Sequence, residues 1–480
     1  MSRINTNIPA LVSRHQLNRS QEGLRRTLER LSSGLRINRG SDDPAGLIVS
    51  ERLRSEITGV GQAIDNSERA INIIATTEGA LDEVASLLLD LKSLIVEAAN
   101  RGAVSDDEIR ANQLQVDSAV ESITRIANAT TFAGKHLLNG SLDYITSGVR
   151  NSALTSLSIQ RAQFGTNSFI PVAIDVQVSQ AAEKAQLQFV NSTISQDITI
   201  EVAGNDGVAT LSFLAGTSAA KIMSGINIIS DVTGVTSRLL SAGSPGNGIV
   251  FESTGFGSDA FVSIRALPGS NTFAVQDALG STRDRDTGQD ALAAINGTLS
   301  RGRGLELTLN TTTLNFVTTL DQNFGTGNTS FTVTGGGSLF QLGSEVDSNV
   351  QVNIGIQSVA ASRLGNAVVG FLSEIVTGGT KSLVEGKFAA SSDVVEEAIR
   401  QVATLRGRLG AFERNTLQTN INQLQITLEN LTSSESVIRD ADIAFETSEL
   451  TRQQILVNAG TNVLALANST PQSVLALLGG

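Results

Sequence analysis

Residues 74–95 read IATTEGALDEVASLLLDLKSLI, and within them Ile74, Leu81, Leu88 and Ile95 recur every seven residues. Ile71, Val84 and Leu91 lie beside them. Strict sevens with polar residues between are the pattern of a helix that buries one seam against partner helices. The spacing predicts a helix over about residues 62–100, roughly 55–60 Å long. Asn100-Arg101-Gly102 ends it. Ser105 and Glu108 stand at capping-box spacing and open another helix, in which Ile109, Val116 and Ile123 again keep period seven. Asn139-Gly140 marks the turn that ends this helical stretch.

Upstream, residues 1–37 read as an amphipathic helix with Leu24, Leu28, Leu31 and Leu35 on one face. Gly40 and Pro44 interrupt it. Asp42 and Asp43 are placed to cap a following helix that carries Leu47, Ile48, Leu53 and Ile57. The far end of the chain mirrors this. Val395, Val402 and Leu409 recur in sevens, then Leu417, Leu424 and Leu431, with Ile421 and Leu428 alongside. A last amphipathic segment, about 440–467, carries Ile455 and Leu464 and is expected to stop before Pro471. Helices of this kind pack as an antiparallel bundle. The two terminal ones have little to bury against alone and call for neighbours in an assembly.

The middle differs. Residues 180–350 are rich in Gly, Ser and Thr, and strand-like runs fall at 170–178, 198–203, 208–214, 247–252, 260–266, 304–318 and 329–334. Short helices are expected near Ser218–Ile229 and Asp290–Leu299. The fold class is therefore α+β. A helical rod is made from both chain ends, and a β-rich insert lies between them.

Composition narrows the function. The chain has no Cys and only two histidines, His15 and His136, far apart in sequence. A thiolate metal site and a Cys nucleophile are excluded, no His-Glu-x-x-His zinc site occurs, and the two distant histidines argue against a His-based metal site or a Ser–His triad. Net charge is −12, which argues against nucleic-acid binding. Residues 1–55 carry ten Arg against five acids, while residues 176–350 carry eight Lys or Arg against fifteen acids. No apolar run is long enough to span a membrane, and no signal-peptide core follows Met1. Asp42-Asp43 and the pair Asp440/Asp442 flank helix starts, so capping explains them better than metal binding. Asp284 and Asp286 alternate with Arg283 and Arg285, which reads as a self-paired loop. The glycines in 243–248 and 255–257 lie within β patterning and do not open a helix as a phosphate cradle would. No catalytic, cofactor or metal residue emerges.

The ends carry recognisable sequence. Leu31-Ser32-Ser33-Gly34-Leu35-Arg36-Ile37-Asn38, followed by Asp42-Asp43-Pro44-Ala45-Gly46, resembles the N-terminal signature of bacterial flagellins. Arg406-Gly407-Arg408-Leu409-Gly410-Ala411, Ser436-Val437-Ile438-Arg439-Asp440-Ala441-Asp442, Gln454-Ile455-Leu456 and the Leu477-Leu478 tail resemble their C-terminal signature. Ile226-Asn227 and Thr233-Gly234-Val235-Thr236 resemble a small module, named for its Ile-Asn pair, found in flagellins and hook-associated proteins.

The resemblance implies a non-enzymatic structural subunit of the extracellular flagellar filament. It implies a terminal coiled-coil domain at 1–43 and 438–480, a helical stem at 44–178 and 347–437, and a surface-exposed β-rich part at 179–346. Terminal seams would use Leu24, Leu28, Leu31, Leu35, Ile455 and Leu464. Stem heptads would use Ile74, Leu81, Leu88, Ile95, Leu417, Leu424 and Leu431. Implied partners are identical subunits in a helical homopolymer, an export chaperone on the C-terminal segment, and hook-associated and cap proteins at the filament ends. Export would use the flagellar type III channel without a cleaved signal. The alternative is a hook-associated junction protein, which shares the terminal helices. In flagellins sensed by the flagellin-recognising Toll-like receptor, the stem carries an Arg where this chain has Asp90. This charge reversal predicts weak sensing.

Overall fold

The computed structural model describes residues 6–164, 171–240, 248–267, 273–311 and 313–478. They form two compact units. The first takes residues 1–70, 341–346 and 414–480, and the second takes 71–340 and 347–413.

The first unit is helical. α1 runs Ile8–Ser33, with Asn7 as N-cap accepting from Ala10 N. It starts later and stops earlier than the expected 1–37. Gly34 adopts a left-handed φ of 72° and returns its N–H to Arg30 O, closing the helix as only a residue without a Cβ does at low cost. α2 runs Pro44–Ala99 without a break, where two helices were expected. Asp43 Oδ1 accepts from Gly46 N at 2.9 Å at its start. Gly59 and Gly61 cost helix propensity, but Val60 and Ala63 between and after them are buried, and that packing overrides it. A Cβ on Gly59 would sit 2.9 Å from Ser344 Cβ, so the glycine permits a close approach.

The second unit begins with the rest of α2 and continues into α3, Asp106–Ala129. Ser105 and Glu108 form the capping box that the sequence foretold. A small hairpin follows, β1 (Thr131–Phe132) with β2 (Lys135–His136). The chain then enters the insert through β3 (Tyr144–Ser147), β4 (Leu154–Ala162) and β5 (Val172–Gln180). It leaves for a second module: β6 (Gln186–Phe189), β7 (Ile198–Ala203), β8 (Val208–Phe213), α4 (Ala219–Ile228), α5 (Ser230–Thr233), β9 (Val235–Leu239), β10 (Ile249–Ser253), β11 (Phe261–Ala266) and β12 (Arg285–Thr287). It returns through β13 (Leu292–Ile295), β14 (Thr298–Arg301), β15 (Glu306–Asn310), β16 (Leu314–Leu320) and β17 (Gly327–Gly336).

The first module packs the sheet β14-β13-β5-β17-β3 with β15-β16-β4. Phe316 and Phe331 meet edge-on in its core at 5.8 Å. The second module joins β12-β11-β7-β8 with β6-β10-β9 and α4, around Phe189 stacked on Phe273 at 4.2 Å. There Asn227 Oδ1 accepts from Ser237 N at 2.7 Å, and its Nδ2 donates to Ser237 O at 3.0 Å, so the Ile-Asn pair ties α4 to β9.

Three sequence expectations for the insert fail. The helix near Asp290–Leu299 is the hairpin β13–β14, turned by Asn296 (φ 48°) and Gly297 (φ 79°), the left-handed pair that suits a tight hairpin. The single run 304–318 is two strands, β15 and β16. Arg283 and Arg285 do not pair with their neighbours in sequence. Arg283 meets Asp277 at 3.2 Å and Arg285 lies over the Phe261 ring at 4.0 Å. Most of the 243–248 glycine stretch lies outside the described residues.

The chain returns through β18 (Ser338–Gln341), β19 (Gln351–Ile354), and the short pair β20 (Gly365–Asn366) and β21 (Gly370–Phe371). α6, Phe388–Phe412, then packs antiparallel to α2, with Arg406 on Asp82 at 3.0 Å and Lys92 bonded to Glu396 and Ser392. A π-turn, Glu413–Gln418, links α6 to α7, Thr419–Arg439. It absorbs the extra residue in the seam, where Leu409 and Leu417 are eight apart and both are buried. α8 spans Ile443–Leu478 and so continues through Pro471, where a stop was expected. The proline frees one carbonyl, that of Ala467, and Asn7 Nδ2 donates to it at 2.8 Å.

Candidate assembly surface

α1 and α8 pack antiparallel. Asn7 meets Ala467, Leu17 lies against Gly460, Gly23 lies against Gln453, and Arg30 pairs with Glu446 at 3.0 Å. Glycine at 23 and 460 lets the helices approach, since a Cβ at 23 would reach within 2.9 Å of the Gln453 side chain. Little apolar surface is covered in return. On α1 the buried residues are Leu17, Ser20 and Thr27. Val12, Phe445, Ile455 and Leu466 are 63, 64, 62 and 70% exposed. Of the expected terminal seam, Leu28 and Ile455 are exposed, while Leu24, Leu31, Leu35 and Leu464 are half-buried. A helix pair with this much uncovered apolar surface is built to be covered.

The two sequence signatures meet. Ala441 N donates to Gly34 O at 2.9 Å and Arg36 N donates to Arg439 O at 2.7 Å, pairing Leu35 with Asp440 as a two-residue antiparallel clasp. Arg36 Nη2 also bonds Ile438 O. Ile37 is buried beside it. Asp42 Oδ2 accepts from Arg39 N and Asn38 N, and these bonds hold its carboxyl below the usual range. Asp440 Oδ2 accepts from Ser436 Oγ, and Asp442 caps α8 through Ala444 N and Phe445 N. The capping reading therefore holds for Asp43 and Asp442, whereas Asp42 ties the turn before α2 and Asp440 closes on the end of α7. The clasp itself could not be read from sequence, because it is made of backbone groups some 400 residues apart.

In the second unit Ile74, Leu81, Leu88 and Ile95 are fully buried. In the first, Leu417 is fully buried, while Leu424 and Leu431 are half-buried. Asp90 is exposed on α2. The sequence reading missed a buried polar knot. Tyr144 donates its hydroxyl to Asn353 O at 3.1 Å and accepts from Ala162 N at 2.9 Å. Burial pushes its phenol up to about 12. Nearby, burial pulls Arg408 below the usual guanidinium range and raises Asp143 above the usual carboxylate range. The available signal was the chain's single Tyr and the second Arg of Arg406-Gly407-Arg408.

Residues 4–143 match the family described as the bacterial flagellin N-terminal helical region, and residues 392–478 match the bacterial flagellin C-terminal helical region. A flagellin of Salmonella choleraesuis (strain SC-B67) is 30% identical over 534 aligned residues, covering 99% of both chains. One of Salmonella rubislaw is 29% identical over 510, again covering 99% of both. Among solved structures, the D1-D2-D3 domains of the Escherichia coli flagellar cap protein FliD align at 18% identity with a TM-score of 0.29, over 47% of this chain and 64% of that one.

Proposed function

The chain belongs to the bacterial flagellins and is a structural subunit of the flagellar filament, and from this we propose that its terminal helices drive polymerisation with identical copies. The observation that carries the proposal is the exposed apolar surface of the α1/α8 pair, at Val12, Phe445, Ile455 and Leu466. Neighbouring copies cover that surface, and contacts that do not close on themselves extend into a helical filament. The terminal domain is 1–43 with 438–480, the stem is 44–178 with 347–437, and the exposed outer part is 179–346. The clasp near Gly34 and Ala441 supports the first boundary. The acidic outer part keeps filaments from adhering to one another. The subunit has no enzymatic role. It leaves the cell unfolded through the flagellar export channel, with a chaperone on its C-terminal segment and without a cleaved signal. Hook-associated and cap proteins meet the ends of its filament.

The test is electron microscopy of the full chain, and of a chain lacking 1–43 and 438–480, each added to filament seeds. Filaments from the full chain alone are expected. Filaments from the truncated chain, or from neither, would overturn the role given to the terminal helices.

A further inference from the structure

We propose that Asn7 sets the register of the terminal helix pair, acting through the carbonyl that Pro471 leaves free. The inference rests on the filament reading and deepens it. Pro471 is the single proline in α8. It has no N–H to give to the carbonyl four residues back. That carbonyl belongs to Ala467, a buried residue, and a buried acceptor left open is costly. Asn7 Nδ2 donates to it at 2.8 Å, while Asn7 Oδ1 accepts from Ala10 N at 3.1 Å. One amide thus closes the start of α1 and the gap in α8 together.

The apolar contacts cannot fix the stagger alone. On α1 the buried residues are Leu17, Ser20 and Thr27, so a single leucine carries most of the apolar contact and a slip by one turn costs little of it. A polar group with a single available partner does fix it, as an Asn at one seam position does in coiled coils. One turn back along α8, the carbonyl of Val463 already takes the N–H of residue 467. Among the described residues of α8, Pro471 is the one without an N–H, so the 467 carbonyl is the one inside the helix that lacks its usual donor. The same stagger seats Leu17 on Gly460 and Gln453 on Gly23.

A substitution cycle on the full chain tests this, read as the critical concentration for elongation from seeds. Asn7→Ala raises it roughly tenfold in the natural background, through the lost cap and the open carbonyl. In a Pro471→Ala background residue 471 regains its N–H, and the same change costs only about threefold, the capping part. Asn7→Asp keeps the capping oxygen but cannot donate. It therefore weakens assembly in the natural background and is near neutral with Pro471→Ala.

Register is read separately. The chain has no cysteine, and a Cβ on Gly460 would stand 3.7 Å from Leu17 Cβ, which is disulfide spacing. Leu17→Cys with Gly460→Cys reports the native stagger in filaments, and Leu17→Cys with Leu464→Cys reports a one-turn slip. Asn7→Ala shifts yield from the first pair to the second. An equal cost of Asn7→Ala in the two backgrounds, or an unchanged cross-link ratio, would overturn the proposal. A parent chain that never elongates would instead overturn the filament reading.

Discussion

Tyr144 offers a test that no other residue can obscure, because the chain has one Tyr and no Trp. Its hydroxyl joins two buried backbone groups, Asn353 O and Ala162 N. Tyr144→Phe leaves both without that partner and should cost about 1–3 kcal/mol in denaturant unfolding at neutral pH. The ionisation gives a second reading. Burial holds the folded phenol up at about 12, against roughly 10 in an unfolded chain. At about 1.4 kcal/mol per unit, the neutral phenol contributes about 2–3 kcal/mol. That stability is fully present below pH ~10 and is lost as the pH climbs from about 10 to 12. The ultraviolet absorbance of tyrosinate should therefore rise late, near pH 12 or together with unfolding. The stability gap between parent and Tyr144→Phe should shrink over the same window. A phenol that titrates near pH 10 in the folded chain, or a gap that does not change with pH, would refute the burial argument.

Leu88→Ala should cost the monomer about 2–5 kcal/mol, because it opens a cavity in a fully buried stem seam. Leu28→Ala, on an exposed seam position, should change monomer stability by less than about 0.5 kcal/mol yet raise the critical concentration for elongation; the reverse order would contradict the division of labour between stem and ends. Asp90→Arg should increase the response of cells carrying the flagellin-recognising Toll-like receptor, read as a leftward shift in dose–response, and an unchanged curve would show that Asp90 is not the limiting difference. Deleting Asn415 from the π-turn should turn it into ordinary α-helix and bring the buried leucines flanking it to a spacing of seven. Its melting temperature should then stay near the parent's, whereas a one-residue deletion between Leu81 and Leu88 should lower it sharply.

The helical part of this fold could be read from the chain because period seven is a property of neighbouring residues. Ile74 through Ile95, Val395 through Leu409, and the Ser105–Glu108 cap each carry their own evidence. The continuity of α2 through Gly59 and Gly61 was not legible, because the propensity cost of glycine is local while the packing that outweighs it is not. The insert was harder. Residues 290–295 are rich in helix-forming Ala, yet Ala293 and Ile295 alternate into a core that only long-range pairing with β5 creates. The Asn296-Gly297 turn was the better signal there. β4 escaped notice because two register shifts against β16 break its alternation. The clasp and the Tyr144 knot depend on backbone groups far apart in sequence, which no local pattern encodes.

The terminal pair shows why polar contacts matter most where burial is thin. In the stem, apolar seams both hold the helices and leave few competing arrangements, since α2, α3 and α6 each present several fully buried side chains. Between α1 and α8, by contrast, glycines, a buried Thr and a single buried Leu supply little energy. Helices held this weakly pair only marginally in isolation. Exposed apolar surface alone would then permit many staggers at the growing tip. The clasp and the Asn7–Ala467 bond satisfy their partners in one stagger and leave them open in others. Each misregistered addition forgoes them, so they act on the accuracy of assembly as well as on its strength.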